Sequence, residues 1–351
     1  MQAAIQVIWL HGFSMDSQPP SPQQIQEQHV LAQRLGSIFM PEANRQMLAL
    51  YQRTAGQTHG RLVHYTTAEA ALNIIRTKRV WMRNTNCMSD YREVQHGMDI
   101  FNGYFEDSNR RARFISAFDV CAQGAAEEAI GAFRNSWSDI RLNTYITCVS
   151  EHRDSEDAHG RLSMWRAFGG SATRVGIVLS IPYISASPLA LALTFSPVSY
   201  LDPQGVYRVI DEVIGNVERE REYLQTLDRG LFARLVFQMF VSGVVCLKHP
   251  GFHEEQEWRG IYTPNRWSSP LMESSTEVIG GVPQVIYKIP LDASVHPQIA
   301  DLDFAKIFDR LIVGPTSYPW PIYGAFVGAL KAARVMDAEN RVVVSDIPIR
   351  A

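Results

Sequence analysis

"RLVHYTTAEAALNIIRTKRVWMRN", residues 61–84, holds three elements in succession. "RLVHYTT" is rich in the aromatic and β-branched residues that suit a strand. Thr66 or Thr67 then supplies the hydroxyl expected at a helix N-cap. Ala70, Ala71, Ile74 and Ile75 form the apolar stripe of the helix "AEAALNIIRTK", and "RVWMRN" reads as a second strand. A histidine at the end of a strand, followed by hydroxyls and a helix N-terminus, presents an imidazole, backbone amides and a positive dipole end to one place. That combination suits a polar ligand. The plain alternative is that His64 only ends a strand.

Working outward, "TNCMSDYREV" reads as a polar turn leading into helix, and residues 100–140 as amphipathic helix. "NTYITCVSE" is a strand, "HRDSEDAHGR" a charged loop, and "RVGIVLSI" another strand. Residues 206–247 read as helix, with "EREREY" on the solvent side. "EWRGIYT", "VPQVIYKIPL", "RLIVGP" and "RVVVSDI" are further strands, and "PIYGAFVGALKAARV" a helix. Strands and helices do not alternate regularly, which predicts an α+β fold rather than a doubly wound one. Residues 1–58 read as a separate N-terminal extension, and 59–351 as the folded domain. In the extension, "IQVIWLHGFSMDS" resembles a hydrolase oxyanion strand at His11 and Gly12. The nucleophile elbow that fold needs is missing, because "GGSAT" lacks the closing glycine.

The chain has 351 residues, 46% of them hydrophobic, with 33 basic and 36 acidic side chains for a net charge of −3. This balance gives no global field for nucleic acid or an anionic membrane. The four cysteines stand far apart, without a CxxC pair, so neither a thiolate metal site nor a disulfide framework is expected, and reduced thiols point to the cytoplasm. The longest charge-free apolar run, Leu235 to Leu247, is shorter than the ~20 residues of a membrane span. No membrane contact is expected.

The blocks "LVHYTTAEAALNIIRTKRVWMRN", "MSDYRE", "ITCVSE", "LSMWRAFG" and "EEQEWRG" together resemble a widespread bacterial family of uncharacterised domains. That family carries a Y-T strand, an N-D-P-x-E turn, a C-x-S strand, an M-W-x-x-Y segment and an E-x-E-W-R strand. The chain departs from the pattern at Ser89, Tyr91 and Phe168. More distantly, the order His64, then Thr147 and Ser150, then Glu255-Gln256-Glu257 is similar to the ADP-ribosyltransferase superfamily. That resemblance implies a split β-sheet core with flanking helices, and NAD as substrate in a cleft between two small sheets. It implies transfer of ADP-ribose to a macromolecular acceptor, protein or nucleic acid, or NAD hydrolysis, in a bacterial toxin or antiviral defence effector.

The chemistry fits those residue types. Breaking the nicotinamide bond develops a cationic ribose, which needs a fixed carboxylate, and Glu257 is the candidate. Glu255, two residues away on the expected strand, would share its face and serve the acceptor, with Gln256 pointing away. His64, Thr66 and Ser150 would hydrogen-bond the ligand, Tyr65 or Trp165 would stack on nicotinamide, and Arg166 or Arg61 would meet the pyrophosphate. Three alternatives stand beside this reading. Trp165 and Trp258 could be core, and Arg259 could pair with Asp90 or Glu93 in a structural clasp. Asp90, Glu93, Glu255 and Glu257 could hold a divalent ion in a nuclease-like site. A non-enzymatic sensor domain could grip a nucleotide in the same cleft.

Overall fold

The computed structural model describes residues 21–54, 57–88, 93–167 and 172–348. It is a mixed helix-and-strand structure around a ten-stranded sheet, with a separate parallel pair β6 (Ser199–Tyr200) and β7 (Leu247–Lys248). The strand–helix–strand unit of the opening stretch is present as β1 (His59–Thr67), the helix Ala68–Thr77 and β2 (Arg79–Asn84). Thr67 is the cap: its Oγ1 accepts from the amide of Ala70 at 3.1 Å.

β3 (Tyr145–Glu151) is the fork of the sheet. Along one edge it pairs with β8 (Glu257–Tyr262) from Tyr145 to Ser150. Its other edge is shared. β1 pairs with it only at Ser150 and Glu151, β2 only at Tyr145 and Ile146. From this fork β1 leads to β4 (Arg174–Pro182), β11 (Phe308–Val313) and β12 (Val342–Val344). β2 leads to β10 (Val282–Pro290) and β9 (Glu273–Ile279), and β8 carries β5 (Thr194–Pro197) on its far side. The pairing is antiparallel except between β11 and β12.

One face of the sheet, with Ile146 and Ile261, packs on a helical layer that includes Glu93–Phe105, Ala125–Asn135, Pro203–Arg219 and Arg229–Val245. The last of these is apolar on all sides and buried along most of its length, as expected of a central helix. The helices Pro22–Phe39 and Pro41–Arg53 fall within the stretch expected to be a separate extension. They bury Leu35, Phe39, Met47 and Leu50 in this same core. The other face, with Ile177, Leu179, Tyr262 and Ile289, is covered by the helices Ala68–Thr77 and Pro319–Ala332. No helix among the described residues is long and apolar enough to cross a membrane. His11 and Gly12, and the turn residues 89–92, lie outside the described residues.

Candidate functional site

The acidic stretch "EEQEWRG" bends before it becomes a strand. Glu254 and Glu255 end the 3₁₀ turn Pro250–Glu255, Gln256 takes a left-handed conformation with φ 45°, and β8 starts only at Glu257. The strand alternation expected to align Glu255 with Glu257 therefore does not apply. Gln256, expected to point away, lines the cleft with Glu257.

The carboxylates meet two buried cations. Lys248 Nζ donates to Glu255 Oε2 at 2.7 Å and to Glu257 Oε2 at 3.2 Å. Arg259 Nε donates to Glu257 Oε1 at 2.7 Å, and its Nη1 to the carbonyl of Val245 at 2.6 Å. Lys248, Glu257 and Arg259 are all buried. Burial opposes ionisation of Glu257, but Arg259 and Lys248 beside it win and hold its carboxyl well below 4.5. The same neighbourhood pushes the Cys148 thiol up, through burial first and the Glu257 charge second. A clasp does form between Arg259 and Glu257, and the partners expected for Arg259 cannot be placed beside it. Asp90 lies outside the described residues, as does the side chain of Glu93. Among the described residues no group of His, Cys, Asp or Glu could hold a metal ion. Of the four carboxylates of the nuclease reading, Glu255 and Glu257 face a lysine ammonium.

A polar cleft of about 180 Å³ opens at the head of β8. It is lined by Glu257, Gln256 and Trp258 from the strand and the turn before it, Tyr200, His253, and Arg53 and Gln46 from the helix Pro41–Arg53. Tyr200 Oη accepts from the Glu257 amide at 2.8 Å. Burial and the nearby carboxylates raise its pKa, so the phenol keeps its proton as a donor. Arg53 pairs with Glu151, whose Oε1 also accepts from Trp258 Nε1 at 3.2 Å.

His64 is not in this cleft. Val63 stands opposite Ser150, and Ser150 opposite Glu257, so Val63, Ser150 and Glu257 share one face of the sheet and His64 takes the other. His64 fills the gap in the fork: its Nδ1 donates to the carbonyl of Cys148 at 2.8 Å, on the β3 edge between β1 and β2. Burial lowers its pKa, more than this bond raises it, so the ring is neutral.

The remaining expected residues scatter. Ser150 is buried beside Glu257, on the same face. Thr66 pairs with Val175 along β1 and does not line the cleft. Tyr65 and Trp165 form a core pair, edge to face with centroids 4.8 Å apart, packed on Val63, Val178 and Ile312. Tyr65 Oη accepts from the Arg161 amide and Trp165 Nε1 donates to the His159 carbonyl at 2.8 Å. Gly160, at φ +68°, leaves no room for a side chain against the Trp165 ring. Both rings are therefore used inside the fold, not as stacking platforms. Arg61 is bound by Asp154, Asp157 and Asp309, which occupies the fork meant for a pyrophosphate. Arg166 is exposed on a short helix and does not line the cleft.

Sequence reasoning missed Lys248, Tyr200, His253 and Arg53. Lys248 reaches the acidic pair only because the 3₁₀ turn doubles the chain back, and no periodicity signals that. No family model, curated protein or solved structure matches the chain.

Proposed function

We propose that the polar cleft at the head of β8 takes the ribose end of NAD, and that Glu257 stabilises the oxocarbenium-like ribose as the nicotinamide bond breaks. The chain would then be an NAD-cleaving ADP-ribosyltransferase with a split-sheet core, and a macromolecular acceptor and a toxin or defence role belong to the same proposal. One observation carries it: an ionised carboxylate is fixed at a cleft that otherwise offers mixed hydrogen-bond donors and acceptors. Ribose hydroxyls need both kinds of partner, and the breaking bond needs the charge. Tyr200 would donate to the sugar, with His253, Gln46 and Gln256 within the same wall. His64 has no part in this reading, and Glu255 is a positioning residue that anchors Lys248.

A second reading is favoured by the pairing of Glu257. Its carboxylate is already engaged by Lys248 and Arg259, so part of its charge is taken up by these cations rather than offered to a cationic ribose. That favours binding without cleavage. The experiment is nicotinamide release from NAD by the purified full chain, with and without cell extract, beside calorimetric titration with NAD. Release that falls about a hundredfold or more in folded Glu257→Gln supports the enzyme. Saturable binding without release supports the sensor, and neither binding nor release removes both.

A further inference from the structure

A second cavity among the described residues lies on the other face of the sheet from Glu257, at the fork where β1 and β2 part from β3. Its volume is about 160 Å³. Leu62, Val149, Leu179, Leu193, Phe195 and Ile289 are among the side chains that make its wall almost wholly apolar. Among the described residues no Asp, Glu, Lys or Arg lines it, so a charged ligand would be desolvated without compensation.

Only a few polar side chains reach this wall, and two of them are already engaged. Ser185 Oγ accepts from the Ser187 amide at 2.9 Å, and Tyr183 Oη bonds Thr54 Oγ1 at 2.7 Å. Thr147 Oγ1 is buried and has no hydrogen-bond partner. His64 uses Nδ1 as its donor to Cys148 O. A carbonyl can only accept, so the proton sits on Nδ1 and Nε2 carries a bare lone pair. A buried hydroxyl without a partner is costly, and its presence in the same wall as an uncommitted imidazole nitrogen marks a place built for a visiting group.

We infer that this cavity binds an uncharged molecule of about one aromatic ring that carries a single O–H or N–H donor, its apolar body against Leu62, Val149 and Phe195 and its donor on His64 Nε2 or Thr147 Oγ1. The volume supports the size, since an apolar cavity of about 150 Å³ holds a benzene ring. The bare acceptor supports the donor. The site is independent of the NAD reading, and either can fail alone.

The test uses the full chain with phenol, indole, toluene and benzoate, read by calorimetry and by the shift in melting temperature. Phenol and indole should bind at one site per chain, up to about tenfold more tightly than toluene, the worth of one neutral hydrogen bond. Benzoate should not bind. Either His64→Phe or Thr147→Val, whichever removes the acceptor, should reduce phenol to the affinity of toluene, and Val149→Phe should abolish binding of both. Should His64→Phe fail to fold, the near-isosteric Thr147→Val and the wild-type comparison still decide. Equal affinity for phenol and toluene, tighter binding of benzoate, or no shift with any probe at millimolar concentration would overturn the inference.

Discussion

Arg259 Nε lies 2.7 Å from Glu257 Oε1, two residues along one strand face, in a buried site where Lys248 Nζ approaches the other carboxylate oxygen at 3.2 Å. The pair answers why so much negative charge precedes the strand: it neutralises two cations that the fold has buried. Arg259→Met should therefore leave Glu257 undercompensated and cost about 3–5 kcal/mol. The check is the urea midpoint. The double variant Arg259→Met, Glu257→Met should cost less than the sum of the single changes, and strict additivity would argue against the clasp.

The same pairing changes what Glu257→Gln can be expected to do. An amide has nearly the volume of a carboxylate, but here it removes the anion held between two buried cations. A loss of roughly 3 kcal/mol or more is expected, measured by denaturant titration before any assay. Nicotinamide release by this variant must therefore be normalised to folded protein.

Acid should destabilise the protein in two stages. His29, held near 4 by burial, and His64 and His152, also lowered chiefly by burial, are neutral in the fold. Their unfolded forms take up protons near 6.5, so the stability they confer is complete above that pH and falls as pH drops below it. Glu257 follows. Its folded pKa is depressed, so its contribution is full above about 4.5 and fades as pH falls further. Urea midpoints should hold between pH 7.5 and about 6.5 and decline from there to pH 4. A rise between pH 6.5 and 5 would contradict the neutral buried histidines.

Thr147→Val should stabilise the ligand-free protein by about 1 kcal/mol, because it replaces an unpartnered buried hydroxyl with a methyl of similar size. An equal loss would mean that the hydroxyl has a partner in solution.

Trp165→Ala should cost about 3–5 kcal/mol, since the ring is buried against Tyr65, Val178 and Ile312. NAD affinity of whatever fraction remains folded should be unchanged. A folded variant with full stability and lost NAD binding would restore the stacking role.

Much of the architecture was readable locally. The strand–helix–strand of residues 61–84 and its threonine cap depend on β-rich composition, an apolar stripe and a hydroxyl at the N-cap, all of which act between near neighbours. "YITCVSE" and "RVGIVLSI" announced themselves by composition in the same way. β5, β6 and β7 did not, because strands of two to four residues have no period to read. The candidate site was readable only as a set of residue types. Glu257 does sit at a polar cleft, but sidedness is set by which residue of β1 meets which of β3, and a shift of one residue exchanges the faces. That register placed His64 opposite to expectation. The left-handed Gln256 took Glu255 out of strand alternation. Lys248 came to the acidic pair through a turn, and Tyr65 and Trp165 were claimed by a core that composition could not distinguish from a binding platform.

The fork at β3 has a consequence for how the molecule breathes. β1 is laced to β4 along its whole length but to β3 by two residue pairs, so backbone bonding passes poorly from one arm of the sheet to the other. Amide hydrogen exchange should therefore sort the strands into two protection classes, with β1, β4 and β11 opening together and β3 with β8 opening at a different free energy. The amides of Thr147 to Val149, bordering the gap, would then report occupancy of the cavity directly, slowing when a ring-sized guest is added while those of β11 keep their rate.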